Sequence, residues 1–246
     1  MKNIFKINFI TYFIILSAFL CGYFNYVIII TSIILFHDLG HILFMKLYKI
    51  KVQKIEILPF GSIILSDINY NLKSTHMLLI SLAGILFQLI LYIVFYYLFY
   101  FGFINNISYD IFLFFNKTLI IFNLLPIIPL DGSKILISLL EMLVSFKLAL
   151  KITNIISLFT IIIFIAFNNI NFNLILLSVY LLFKTYVEIK EHKLIYNKFL
   201  LERYIHKYNY KKIKNINHIN RIHKNKFNFI NNTSEYKILS KKFNYV

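Results

Sequence analysis

Six long apolar segments dominate this chain, and their length limits what it can fold into. A helix needs about 20 mostly apolar residues to cross a bilayer. Segments of this kind occur at residues 7–24, 26–45, 77–101, 111–130, 148–167 and 172–188. Charged residues make up only 15% of the 246 residues, whereas soluble domains have about 25%. The sequence therefore predicts an all-α, multi-pass membrane protein with about six transmembrane helices, and it excludes an ordinary soluble domain.

Positive charge is concentrated in alternate loops and at the C-terminal end. Residues 184–246 carry a net charge of +11, out of +16 for the whole chain. Lysines precede the first apolar segment and fill the second-to-third and fourth-to-fifth loops, which predicts that both termini are cytoplasmic. We expect a membrane domain over residues 1–190 and a basic cytoplasmic tail over residues 191–246. Positive-inside topology with attraction to anionic lipid is the favoured role of the tail. Docking of a substrate or partner is the alternative, and nucleic-acid binding is not expected.

The loop after the second apolar segment has a different pattern. Residues 52–58 and 63–65 are rich in β-branched side chains, and they flank the sequence P-F-G-S at residues 59–62. This arrangement predicts a β-hairpin. A hairpin beside a membrane enters it only where protein or water satisfies its backbone. We therefore expect a membrane-associated hairpin after the second helix.

Ionisable side chains are rare in the predicted spans, and the second span carries several of them. His37 and His41 are four residues apart, so a helix places both imidazoles on one face, where they can hold one metal ion. Residues 37–41 read H-D-L-G-H, which is the zinc-binding pattern H-E-x-x-H with aspartate in place of glutamate. A catalytic zinc site takes three protein ligands, and Asp131 is the natural third. Asp131 can alternatively cap a helix that starts near Ser133.

These motifs resemble the site-2 proteases, which are intramembrane zinc metalloproteases. The resemblance is carried by residues 36–41 (F-H-D-L-G-H) and residues 123–132 (N-L-L-P-I-I-P-L-D-G). Residues 59–62 resemble the glycine-bearing hairpin of that family. Residues 83–88 (A-G-I-L-F-Q) resemble its Ala-Gly-Pro-x-x-Asn segment. The six-helix layout with a basic tail resembles the stage IV sporulation protein FB group.

The resemblance implies hydrolysis of a peptide bond in or beside the membrane. It assigns Zn²⁺ to His37, His41 and Asp131, with Asp38 as the general base and acid. It places the substrate backbone against Gly61, Ser62, Gln88 and Asn123. The implied substrate is a membrane-associated pro-protein such as pro-sigma-K, and membrane inhibitor proteins are the implied partners.

Departures from the family pattern keep a second interpretation open. Asp38 stands where the family has glutamate, and aspartate is shorter by one C–C bond, about 1.5 Å. The alternative is a zinc-binding pseudoprotease that sequesters membrane substrates. Ile85 and Gln88 replace the proline and asparagine of the third segment. The sporulation proteases usually end in a nucleotide-binding CBS region, of which residues 191–246 would be a shortened remnant. An HD-type phosphohydrolase and a transporter are disfavoured, because further metal ligands and an inverted repeat are missing.

Overall fold

The computed structural model describes residues 5–7, 9–58, 61–66, 69–168, 171–208 and 210–243. The helices in these ranges are α1 (Phe9–Leu20), α2 (Phe24–Leu47), α3 (Ser74–Tyr100), α4 (Asn106–Leu124), α5 (Asp131–Leu143), α6 (Phe146–Ala166), α7 (Phe172–His206) and α8 (Glu235–Phe243). The strands are β1 (Phe5–Ile7), β2 (Val52–Leu58), β3 (Gly61–Ser66), β4 (Ile213–Ile216), β5 (Phe227–Ile230) and β6 (Thr233–Ser234). The chain divides into a first unit (residues 1–68 and 79–123) and a second unit (residues 69–78 and 124–246).

Five of the described helices are long and apolar enough to cross a membrane: α2, α3, α4, α6 and α7. The first apolar segment forms only the 12-residue helix α1, which spans about 18 Å at 1.5 Å per residue. The described residues therefore hold five candidate spans and one short apolar helix, where the sequence predicts about six spans. The predicted fourth segment is divided as well. Helix α4 ends at Leu124 and α5 begins at Asp131, with Pro126 and Pro129 between them, since proline cannot continue a helix.

A three-stranded sheet in the first unit contains the hairpin region. Strands β2 and β3 pair antiparallel, from Val52 opposite Ser66 to Leu58 opposite Gly61, and β1 pairs parallel with β2. The turn residues Pro59 and Phe60 lie outside the described residues. The association of this hairpin with the membrane stays a prediction.

Helices α2 and α3 pack closely against each other in the part of the first unit that holds the candidate site. A Cβ atom on Gly40 would lie 2.4 Å from the carbonyl oxygen of Ala83, so only glycine lets the two helices approach this closely. Further along, Ile33 and Phe112 are fully buried. The rings of Phe95 and Phe112 stack with their centroids 3.8 Å apart. This packing holds the polar face of α2 against α3.

The C-terminal segment of the second unit is folded. Strand β4 pairs parallel with β5, and β5 pairs antiparallel with β6. Residues of this segment join a buried apolar cluster with the start of α6 and the end of α7, which includes Phe146, Phe199, Leu200, Ile222 and Leu239. Much of the predicted basic tail is therefore packed structure, although the boundary at residue 190 stays a prediction.

Buried charges in the second unit are paired. The Arg203 side chain donates from Nε to Glu235 Oε1 at 3.1 Å, and both side chains are fully buried. Arg203 also donates to the carbonyl oxygens of Lys224 and Lys226. Lys224 Nζ lies 2.8 Å from Glu141 Oε2, also in the interior. An uncompensated buried charge is costly, so these pairs bind the C-terminal segment to α5 and α7.

Candidate metal centre

Helix α2 carries three buried ionisable side chains in an apolar span: His37, Asp38 and His41. The neighbouring apolar residues Phe36 and Leu39 on the same helix are exposed. Ionisable groups inside a membrane are expensive to bury and mark functional positions. This helix face is therefore the candidate site in the first unit.

Each histidine ring is oriented by a hydrogen bond from its Nδ1 atom. His41 Nδ1 lies 2.7 Å from the carbonyl oxygen of Ile80, and His37 Nδ1 lies 3.1 Å from Gln88 Oε1. Both partners are acceptors, so each Nδ1 donates its proton and each neutral ring keeps a lone pair on Nε2. Such outer hydrogen bonds fix the tautomer and orientation of metal-ligating histidines.

The two Nε2 atoms face each other at a distance of 3.0 Å. Two nitrogen lone pairs at this distance repel unless a cation lies between or beside them. Zinc binds histidine nitrogen at about 2.1 Å in a tetrahedral arrangement, which places two such nitrogens about 3.4 Å apart. The spacing of the His37 and His41 nitrogens therefore fits a divalent metal ion.

Gly84 on α3 provides the space that this pair needs. A Cβ atom there would lie 2.5 Å from His37 Cε1 and 2.5 Å from His41 Nε2. Both distances are far below van der Waals contact, so any side chain at this position would displace the imidazoles. In the sequence, Gly84 stands out only as part of a segment that resembles the family. No sequence pattern indicates that the carbonyl of Ile80 contacts a histidine.

Asp131 occupies a defined place in the second unit. It is the first residue of α5, it is 5% exposed, and its Oδ1 accepts a hydrogen bond from Lys134 Nζ at 2.8 Å. The N-cap of α5 is Leu130, and no side chain caps this helix. Asp131 therefore lies inside the first helical turn and not at the cap near Ser133 that the sequence allows as an alternative.

The remaining predicted site residues are placed as follows. Gln88 is buried and bonded to His37, and its backbone carbonyl accepts from Asn116 Nδ2 at 3.3 Å. Asn123 is half-buried in the last turn of α4. Gly61 and Ser62 are the first two residues of β3. The structure thus brings together His37, His41 and Gln88, while substrate contacts of Gln88, Asn123, Gly61 and Ser62 stay predictions.

Comparison with known proteins gives a family match and three informative relatives. Residues 25–111 and 102–167 match the model of peptidase family M50. The chain is 27% identical over 130 residues to stage IV sporulation protein FB of Bacillus subtilis, which covers 53% of this chain and 45% of that protein. It is 31% identical over 157 residues to a zinc metalloprotease of Methanocaldococcus jannaschii, which covers 63% of this chain and 45% of that protein.

A solved structure is similar over most of its length. The site-2 protease from Methanocaldococcus jannaschii superposes with a TM-score of 0.57 at 26% sequence identity. The match covers 76% of this chain and 92% of that one. The aligned part of this chain spans less than half the length of the two curated relatives it matches.

Proposed function

The chain belongs to peptidase family M50, and from this premise we propose that it is an intramembrane zinc metalloendopeptidase. Five apolar helices among the described residues, together with its family, make it an integral membrane protein. The proposed reaction is hydrolysis of a peptide bond in a membrane-associated protein substrate. The observation that carries the proposal is the pair of buried imidazoles, whose Nε2 atoms converge at 3.0 Å.

The proposed ligands of the zinc ion are His37, His41 and Asp131. Each of these side chains offers a nitrogen or oxygen atom that can bind a metal ion. Two neutral imidazoles and one carboxylate form one of the common ligand sets of a catalytic zinc, which keeps one position open. When bound, zinc would polarise the scissile carbonyl and lower the pKa of water at the site.

Asp38 is the proposed general base and acid. It would take a proton from the attacking water and return it to the leaving amine, which requires approach to about 2.6–3.2 Å. Asp38 is buried beside His37 on α2. Its position next to a proposed metal ligand supports this role. Its side chain is about 1.5 Å shorter than that of glutamate, so the carboxylate has to lie closer to the water.

Substrate binding is proposed along strand β3. In the described sheet the strand order is β1-β2-β3, so β3 lies at an edge. An edge strand presents backbone donors and acceptors to an added strand. An unwound substrate segment would pair there beside Gly61 and Ser62, with Asn123 and Gln88 as further backbone contacts. A membrane-associated pro-protein, such as a sporulation pro-sigma factor, is the proposed substrate class, in line with the sporulation relative.

The test is co-expression of the full chain with a membrane-associated pro-sigma substrate. The variants are wild type, His37→Ala, Asp38→Asn and Asp38→Glu, and the readouts are substrate cleavage and zinc per purified protein. The metalloprotease is supported if the wild type cleaves the substrate, if His37→Ala loses both cleavage and zinc, and if Asp38→Asn loses cleavage but keeps zinc. Absence of zinc from wild-type protein would contradict it.

The second candidate is a zinc-binding pseudoprotease that holds membrane substrates without cleaving them. The shorter reach of Asp38 is the observation that favours it. This candidate is supported if the wild-type protein binds zinc but does not cleave the substrate, while Asp38→Glu does cleave it. Cleavage by the wild-type chain would reject it.

A further inference from the structure

A basic cavity of about 560 Å³ lies in the second unit, at the start of α6. Lys147 and Lys151 of α6, His192 of α7, and Arg221 and His223 from the segment after β4 all line it. None of the described residues that line it is acidic. Positive side chains from two separate parts of the chain, α6 and the segment after β4, therefore converge here, and a cavity with charge of one sign concentrates ions of the opposite sign.

The position of this cavity along the helices gives its level in a membrane. Helix α6 has 21 residues, a length of about 31 Å, which matches the roughly 30 Å hydrocarbon core. Its first turn, with Lys147, therefore lies at the head-group level, and Lys151 lies one turn further along. Helix α7 returns from Phe172, and His192 lies about 30 Å along it. The cavity is thus at the depth where lipid phosphates occur.

Hydrogen bonds hold the cavity together before any ligand arrives. The Phe146 backbone N–H donates to the carbonyl oxygen of Ile222 at 3.1 Å. Lys147 Nζ donates to Asn220 Oδ1 at 3.1 Å. These contacts fix the turn that carries Arg221 against the start of α6, so the cations are already assembled.

The two histidines add polar atoms that lack partners in the described part of the chain. His192 Nε2 and His223 Nδ1 are buried and make no hydrogen bond there. Buried polar groups are normally satisfied. Unsatisfied ring nitrogens in the cavity lining therefore indicate a position for a polar ligand, whose anionic group Lys147, Lys151 and Arg221 would attract.

An apolar wall distinguishes this cavity from a plain anion site. Leu143 and Leu148 also line it, and 75% and 45% of their surface is exposed. We propose that the cavity binds the phosphate group of an anionic phospholipid, with its acyl chains over Leu143 and Leu148. Phosphate is the recognised chemistry, and the head-group level and the leucine wall favour a lipid over a soluble phosphate. No residue of the proposed zinc site takes part.

The test compares lipid retention by the full chain, using native mass spectrometry after incubation with equal phosphatidylglycerol and phosphatidylcholine. Wild type should retain one phosphatidylglycerol in preference to phosphatidylcholine. The double variant Lys147→Ala/Arg221→Ala should lower this preference about fivefold or more, given the usual attraction of a basic side chain to anionic lipid. Lys151→Gln, at an exposed position, should lower it in part without disturbing the hydrogen bonds.

The matched control is Lys211→Ala/Lys241→Ala, which removes the same charge from exposed residues outside the cavity. An equal loss in the control would overturn the proposal, because the attraction would then be diffuse. Inorganic phosphate is tested in phosphatidylcholine nanodiscs by thermal unfolding. A shift in wild type but not in the double variant, without phosphatidylglycerol preference, would keep the phosphate site and reject the lipid. No difference between wild type and the double variant for either probe would reject both.

Discussion

The histidine pair is positioned by atoms on α3 and not by α2 alone. Ile80 and Gln88 accept the Nδ1 protons, and Gly84 lies between them along the helix, directly against both rings. A four-residue spacing puts two imidazoles on one face. Their tautomers and their 3.0 Å separation depend on what the neighbouring helix provides, so the most informative substitutions at the residue scale are on α3.

Gly84→Ala should weaken zinc binding without unfolding the protein. The added Cβ atom would lie 2.5 Å from both imidazole rings and force them apart. Alanine favours a helix over glycine by about 1 kcal/mol, so α3 itself should be no weaker. We expect zinc affinity and any cleavage to fall about tenfold or more. Metal analysis of purified protein and competition with a chelator would measure this.

Leu86→Ala is the matched control, since Leu86 lies on the same helix but is 44% exposed. It should bind zinc as wild type does. Normal zinc binding in Gly84→Ala would mean that the histidine pair is not the metal site.

Gln88 gives a second prediction, because its place in the sequence motif suggests a contact with substrate, whereas in the structure it contacts His37. Gln88→Ala leaves the Nδ1 proton of His37 without its acceptor, so zinc affinity should fall about 10–100-fold. Gln88→Glu keeps an acceptor and should retain most of the affinity. Zinc dissociation constants for the three proteins, obtained by chelator competition, are the measurement.

A role confined to substrate would give another pattern. Gln88→Ala would then raise KM for a cleaved substrate and leave zinc affinity unchanged. The two readouts therefore separate a residue that positions His37 from one that only holds the substrate.

At the scale of elements, long helices were predictable and the C-terminal sheet was not. Runs of about 20 apolar residues predict spans without any tertiary information, and α2, α3 and α6 follow them closely. Strands β4 and β5 have four residues each, too few to show a clear alternation. Arg203 resembles a surface charge in the sequence, yet it is fully buried against Glu235. Its partner lies 32 residues away, a separation that no local pattern reveals.

The segment after α7 should also show a specific alkaline sensitivity. Burial raises the pKa of Tyr210 from 10.0 to about 12, partly offset by the nearby Arg203 charge. The folded state therefore holds the proton more tightly than the unfolded state. This contribution to stability is complete below pH 10 and is lost as the pH rises from 10 towards 12. Tyr210→Phe should make the unfolding temperature fall less steeply in that window.

The phenylalanine variant should cost little at neutral pH. The Tyr210 hydroxyl is buried and has no hydrogen-bond partner in the described residues, and a phenyl ring can still lie over Arg203, 4.6 Å from the ring centroid. Tyr100→Phe, at a position that is 72% exposed, is the control. Identical alkaline profiles for wild type and Tyr210→Phe would show that Tyr210 does not titrate as described.

At the scale of the whole molecule, residues 207–243 are structural. A chain ending at His206 would lack Lys224 and Glu235. Glu141 and Arg203 would then lose their ion-pair partners. Breaking a buried ion pair costs about 3–5 kcal/mol, and Phe199 and Leu200 would lose part of their apolar cover. We expect the truncated protein to aggregate in detergent or to unfold at a much lower temperature. Size-exclusion chromatography and thermal unfolding would show it.

A truncated chain that also carries Glu141→Gln and Arg203→Met tests the cause. It should regain part of the lost stability, because the unpaired charges are gone. A simple truncation that matches the full chain in both measurements would mean that this segment is a detachable tail.

The bond between Ser74 and Asn225 joins residues 151 positions apart, and it has a consequence for biosynthesis. A ribosome makes Ser74 and then Glu141 long before it makes Lys224 and Asn225. Until those residues are made, Glu141 of the nascent chain lacks the positive charge of Lys224. A chain whose translation stops before Lys224 therefore cannot complete the second unit and keeps Glu141 without its cationic partner.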